Sequence, residues 1–182
     1  MFSNLDFNSV YTIFGLTNLP FLLIILAFCW SNINFRYILL VIISVEFFES
    51  LTVDMAFQWG NEYYLWFAMS GALSITLILG RRLIALNMQK ASIFFKKASF
   101  EYKFLRQEGA LLFCYAITVL IYLVTYIEAT LYTNSILGSY TFQKIFFGPS
   151  ITLIHIVCYA LVIRMAFRVK WMNDAKQKGI TA

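Results

Sequence analysis

Apolar residues fall in five long blocks along this chain, and polar or turn-forming residues gather at the breaks between them. A hydrocarbon layer of roughly 30 Å is crossed by about 20 apolar residues of helix. The blocks at 10–30, 37–58, 63–80, 111–132 and 149–167 meet that requirement. The breaks carry their own signals: Ser31-Asn32, Gly60-Asn61, the polar run from Asn134 to Ser139, and Gly148-Pro149. Pro149 suits the first turn of a helix, where a missing N–H leaves no bond unmade. The pattern predicts an all-α fold, a polytopic membrane helix bundle of about five transmembrane helices forming one domain over 1–182. Neither charge, Pro nor Gly placement shows an internal repeat, which weighs against an inverted-repeat transporter.

Composition sharpens this reading. The chain has 182 residues, 61% hydrophobic and 13% charged, with a mean hydropathy of +0.75. One water-soluble core cannot hide that much apolar surface. Nineteen Phe, eleven Tyr and only two Pro exclude a disordered chain. Cys29, Cys114 and Cys158 lie in apolar blocks without metal-ligand spacing, so they read as small hydrophobes, and no disulfide is expected. No Lys or Arg precedes Arg36, so the first block lacks the basic flank of a cleaved signal and is expected to persist in the mature protein. Phe28 is too large for the residue before a lipid-modified Cys29.

The distribution of charge matters more than its net value of +5. With the amino terminus outside, thirteen of the fourteen Lys and Arg face the cytoplasm: Arg36, the seven from Arg81 to Arg106, and Arg164, Arg168, Lys170, Lys176 and Lys178. Only Lys144 faces out. The positive-inside rule therefore predicts an outside amino terminus and a cytoplasmic carboxy terminus, in a multi-pass protein of the cell's inner membrane. Trp30 and Trp171 fit an inner aromatic belt, and Trp59, Tyr63, Tyr64, Trp66, Tyr132 and Tyr140 an outer one. The third block carries Ala68, Ser70, Gly71, Ala72 and Ser74, small residues that allow close helix approach either within the chain or between copies in a homo-oligomer.

The segment 81–108 contains neither Pro nor internal Gly and is expected to be a basic, amphipathic, mostly helical cytoplasmic element. Leu83, Ile84, Ala91, Phe94, Phe95, Ala98, Tyr102 and Leu105 form one stripe, opposite Arg82, Lys90, Lys96, Lys97 and Lys103. It can lie on the inner leaflet with its lysines toward anionic headgroups. It can instead extend the third and fourth helices as a collar between subunits. A third reading makes it a site for an anionic cytoplasmic ligand or protein partner, with Arg82, Lys90, Lys96, Lys97, Lys103 and Arg106 on phosphates and Phe94, Phe95 and Phe100 stacking on bases. Positive-inside bias alone accounts for the charge, so the leaflet reading needs the fewest assumptions.

Ionisable side chains inside a span are costly unless paired or hydrated, which makes each a functional candidate. They are Glu46, Glu49 and Asp54 in the second block, Glu128 in the fourth and His155 in the fifth. At about 1.5 Å per residue, Glu46 falls near mid-membrane and Asp54 at the outer boundary. Glu49, Glu128 and His155 fall at similar depth, as a proton relay or cation path would need. A Glu–His pair that merely holds the bundle together is the simpler alternative. Four acids exceed what one histidine can satisfy. Metal centres and cofactors are not expected, since Glu46-Phe47-Phe48-Glu49 has the spacing of a carboxylate-bridged site without its histidine. No Gly-x-Ser-x-Gly or other activated nucleophile marks an enzyme. The leading expectation is a homo-oligomeric ion channel or pore-forming effector, with an acidic path and a basic segment gated by a nucleotide or oligonucleotide. A proton-coupled small transporter or membrane substrate-binding subunit, and a non-catalytic assembly or scaffold subunit, are the alternatives.

Overall fold

The computed structural model describes the backbone of residues 7–177 and the side chains of residues 17–171. Five long helices are joined by one short one and a π-helical turn: α1 (Phe7–Phe28), α2 (Ile33–Phe57), α3 (Glu62–Met88), α4 (Ile93–Phe100), α5 (Arg106–Thr133), the π turn Gln143–Phe147 and α6 (Gly148–Gln177). No strand occurs among the described residues. The five expected blocks thus each become a long helix.

Among the described residues, three helices are long and apolar enough to cross a membrane: α3, α5, and the stretch Gln143–Trp171 that includes most of α6. The outside of the bundle agrees. Leu51, Phe113 and Phe167 are 67%, 66% and 70% exposed, and apolar side chains on that scale are stable against lipid rather than water. The chain is therefore an integral membrane protein. The first expected block is described from Thr17 as a shorter apolar helix, Thr17–Phe28, its earlier side chains lying outside the described residues. In α2, Arg36, Glu46, Glu49 and Asp54 interrupt the apolar run.

Local chemistry explains the ends of the helices. Asn32 caps α2, its side chain accepting the Phe35 N–H at 2.9 Å. Gly60 turns the chain into α3 at φ +64°, a conformation that disfavours any side chain. α5 closes with Ser135 at φ +58°; the Ile136 N–H reaches the Leu131 carbonyl at 3.0 Å and the Ser135 N–H reaches Tyr132 at 2.9 Å. This is the left-handed cap usually made by Gly. The last helix does not simply open at Pro149. The chain is already helical at Thr141, and the π turn comes before Pro149. Pro149 has no N–H for the Ile145 carbonyl and its ring crowds that group, which accounts for the widened turn.

The basic segment is mostly helical, and the turn whose place the sequence left open now has a position. It is not one continuous helix: α3 continues through Arg81 to Met88, residues 89–92 turn, α4 occupies Ile93–Phe100, and the irregular stretch 101–105 leads into α5. The expected stripe therefore breaks up. Leu83 is 67% exposed whereas Ala98 is buried.

The ends of the bundle differ in charge. Asn34 of α2 donates to the Lys103 carbonyl at 2.8 Å, Arg36 stacks 4.8 Å from Trp30 and 4.7 Å from Phe94, and Arg168 of α6 donates to Gln107 at 3.2 Å. These contacts gather the start of α2, the α3–α5 connection and the far part of α6 at one basic end. Lys178 and the Lys176 side chain lie outside the described residues. At the other end Asn61 bonds Thr133 at 2.7 Å, and Lys144 sits in the π turn there. Trp30 and Trp171 are exposed at the basic end and Trp59, Tyr132 and Tyr140 at the opposite one, but Tyr64 is buried. It packs edge-on against Phe147 at 5.3 Å and belongs to the core rather than to a belt.

Small residues serve the interior. Ala68, Ser70, Gly71 and Ser74 are buried and Ala72 is exposed; a Cβ at Gly71 would stand 2.8 Å from a Val119 methyl group. Gly71 thus lets α3 and α5 approach closely within the chain.

Candidate functional site

A small apolar cluster of Tyr37, Ala85 and Ala98 sits under α4, and two large ones fill the bundle. One, toward the basic end, includes Leu22, Ile38, Ile42, Ile78, Leu111 and Val162. The other, toward the opposite end, includes Tyr64, Phe67, Tyr122 and Ile151, with Val53 and Val119 against it. Around Glu46 and Glu49 of α2 gather Asn18 of α1, Ser70 of α3, Cys114 and Tyr115 of α5, and Cys158 and Tyr159 of α6. All five long helices contribute to this polar layer.

Its centre is the Glu46–Glu49 pair. Residues three apart on a helix share a face, and this face turns into the bundle. Ser70 donates its hydroxyl to Glu49 Oε1, and the Asn18 side chain bonds Glu46. Glu46 and Glu49 act electrostatically on each other, and both act on the Tyr115 phenol. Glu46 also acts on Tyr159 and on Cys158, and the Cys158 thiol faces that of Cys114. All three cysteines are free. Tyr159 is held edge-on against Phe21 at 4.9 Å. His155 stands one turn before Tyr159 on the same face of α6 and is half-buried.

The remaining expected path residues lie elsewhere. Asp54 is exposed on α2. Glu128 accepts the backbone N–H groups of Phe142 at 2.8 Å and Gln143 at 2.7 Å, so both its oxygens cap the start of the last helix, where the helix dipole favours an anion. The structure brings Glu46 and Glu49 together, sets His155 on the face of α6 that carries Tyr159, and occupies Glu128 with backbone. Among the described residues, no three His, Cys, Asp or Glu side chains converge as a metal centre would require.

At the basic end, the exposed residues of the expected anion site are Arg82, Lys90, Lys96, Lys97, Lys103, Arg106 and Phe100. Phe94 and Phe95 are half-buried and each meets Tyr37 edge-on at 5.8 Å. They dock α4 onto α2, so these rings are engaged by protein rather than presented for stacking on a base.

Sequence reasoning missed the buried ion pair of Arg81 and Glu108. The Arg81 Nη2–Glu108 Oε2 distance is 2.7 Å with side chains 0% and 1% exposed. Tyr37 donates to the Arg81 carbonyl at 3.0 Å, and Tyr102 lies 4.9 Å from the guanidinium. Glu108 is the third helical residue of α5, which sets its carboxylate near the backbone of Leu105, the N-cap residue. That is the acidic half of a capping box. The signal was an acid three residues into a helix that begins a long apolar run, obscured because the cap is Leu rather than Ser or Thr. Comparisons with protein-family models, with curated proteins and with solved structures return no match for the chain.

Proposed function

We propose that this chain is a five-span membrane protein with its basic end in the cytoplasm, and that it moves protons through a polar layer enclosed by one bundle, as a proton-coupled small transporter does. The observation that carries this reading is the placement of Glu46 and Glu49 one turn apart, facing into their own bundle among Asn18, Ser70, Tyr115 and Tyr159. Two carboxylates in a low-dielectric interior repel each other, and His155, even when protonated, balances only one of them. The layer is therefore suited to exchanging a proton or a small cation. The phenols and hydroxyls around the pair supply groups that both donate and accept, as a hydrogen-bonded relay needs.

The inward direction of the pair also bears on the homo-oligomeric channel expected above. A shared axis would want these acids on an outer face of α2, but that face carries Phe47, Phe48 and Leu51, 55%, 45% and 67% exposed. A path within one chain fits this arrangement better. In this reading α1 and α2 cross the bilayer with the other three long helices, the cost of the α2 acids being met inside the bundle.

Proteoliposomes enclosing a pH-sensitive dye test the proposal. With an imposed potential, the wild type is expected to change internal pH and Glu49→Gln to abolish the change, with Glu46→Gln strongly slowed. Retained conductance with altered ion selectivity in Glu49→Gln would instead indicate a channel. Full activity in the triple Glu46→Gln, Glu49→Gln, Glu128→Gln variant would leave only a scaffolding role for these acids.

A further inference from the structure

The geometry points to α4 as an interfacial helix whose outer face binds the anionic phospholipids of the leaflet at the basic end. α3 and α5 run antiparallel, so the connection between Met88 and Arg106 begins and ends at the same membrane surface. Within it, α4 is fixed by one side only. Ala98 is buried with Ala85 and Tyr37, Phe94 and Phe95 pack on Tyr37, and Ser92 caps the helix by accepting the Phe94 N–H at 3.2 Å.

That docking determines what points away from the bundle. At about 100° per residue, Ile93 and Phe100 fall within about 20° of each other, opposite the packed face, with Lys96 and Lys97 about 60° and 40° to either side. Ile93 and Phe100 are 75% and 79% exposed, and both lysines are exposed. Two large apolar groups presented outward from a helix this short are unfavourable in water. Flanked by ammonium groups, they match a headgroup boundary, where the apolar pair enters the acyl region and the lysines meet phosphates. Lys90, Lys103 and Arg106, also exposed, extend the positive surface to both ends of α4. A nucleotide or oligonucleotide is the weaker match, because Phe94 and Phe95 are committed to docking the helix and Ile93 offers no stacking surface.

The inference is tested by titrating the full-length protein in neutral detergent with phosphatidylglycerol or phosphatidylcholine and counting bound lipids by native mass spectrometry. Wild type is expected to prefer phosphatidylglycerol. Lys96→Gln with Lys97→Gln should reduce that preference by about fivefold per lysine, from the typical attraction of a basic residue to an anionic surface, with thermal unfolding unchanged. Ile93→Ser with Phe100→Ser should weaken binding of both lipids. A wild type without preference, or a double-Gln variant that keeps it, overturns the proposal. So does displacement of the lipid by millimolar ATP or a short oligonucleotide, which would assign the face to a soluble anion. If the double-Gln variant unfolds early, Lys96→Arg with Lys97→Arg replaces it: retained preference supports the lipid site, and lost preference in a folded protein refutes it.

Discussion

Replacing Glu108 by Ala strands Arg81. The guanidinium is 0% exposed and its one strong contact is the 2.7 Å bond to Glu108; the Lys103 carbonyl is 3.5 Å away, and Nε and Nη1 have no protein partner. Removing one member of a buried ion pair typically costs about 3–5 kcal/mol, because the survivor keeps its desolvation penalty without its counter-charge. Glu108→Ala belongs at the upper end of that range, since a guanidinium cannot shed its charge. Arg81→Met belongs at the lower end, because a carboxyl group can take up a proton and so shed its charge. The double variant Arg81→Met, Glu108→Met removes both charges together. Because Arg81 Nε and Nη1 and Glu108 Oε1 are already unsatisfied, the pair is imperfectly compensated, and the apolar replacement should lie within about 1 kcal/mol of wild type or above it. Reversible unfolding in mixed micelles of increasing dodecyl sulfate fraction measures all four proteins. A cost of less than about 1 kcal/mol for Glu108→Ala, or a double variant as unstable as either single one, would refute a buried and uncompensated Arg81.

Two further substitutions probe the bundle. Gly71→Ala drives a methyl group to 2.8 Å from the Val119 side chain, and Val is stiff, so α3 and α5 must separate; a loss of about 1–3 kcal/mol is expected in the same unfolding assay. Adding Val119→Ala should recover much of it, and no recovery would mean that the close approach of the two helices is wrongly placed. Glu128→Gln replaces a carboxylate facing two backbone donors with an amide whose nitrogen opposes one of them. A loss of about 1–2 kcal/mol with proton movement unchanged is expected, and abolished proton movement in a folded variant would return Glu128 to the path.

The three helices long and apolar enough to cross a membrane were readable because lipid imposes one requirement on every residue of a crossing helix, so composition over about 20 positions is enough to find them. The polar layer was only partly readable. Glu46 and Glu49 share one helix, and helical periodicity alone puts them on one face. Glu128 lies at a depth similar to that expected for Glu49, yet depth does not give direction, and its carboxylate turns to the N–H groups of Phe142 and Gln143. Tyr115, Tyr159, Cys114 and Cys158 joined the layer without any sequence signal, being residues equally suited to a lipid-facing or an interior position. Likewise Arg81 reads as one of many basic residues following a span until α3 continues past Gly80 and buries it.

By itself, the sequence determined that lipid surrounds the chain, that its helices break at Ser31-Asn32, Gly60-Asn61 and the run after Asn134, and that its basic residues collect toward one side. These are sums over neighbouring positions, and each residue adds to them independently. Tertiary structure alone decided which side chains meet: the pairing of Arg81 with Glu108, the capture of Glu128 by backbone, and the division of α4 into a docked face and an outward one. Those outcomes depend on the rotation of each helix about its axis, which close packing between helices sets and local sequence does not.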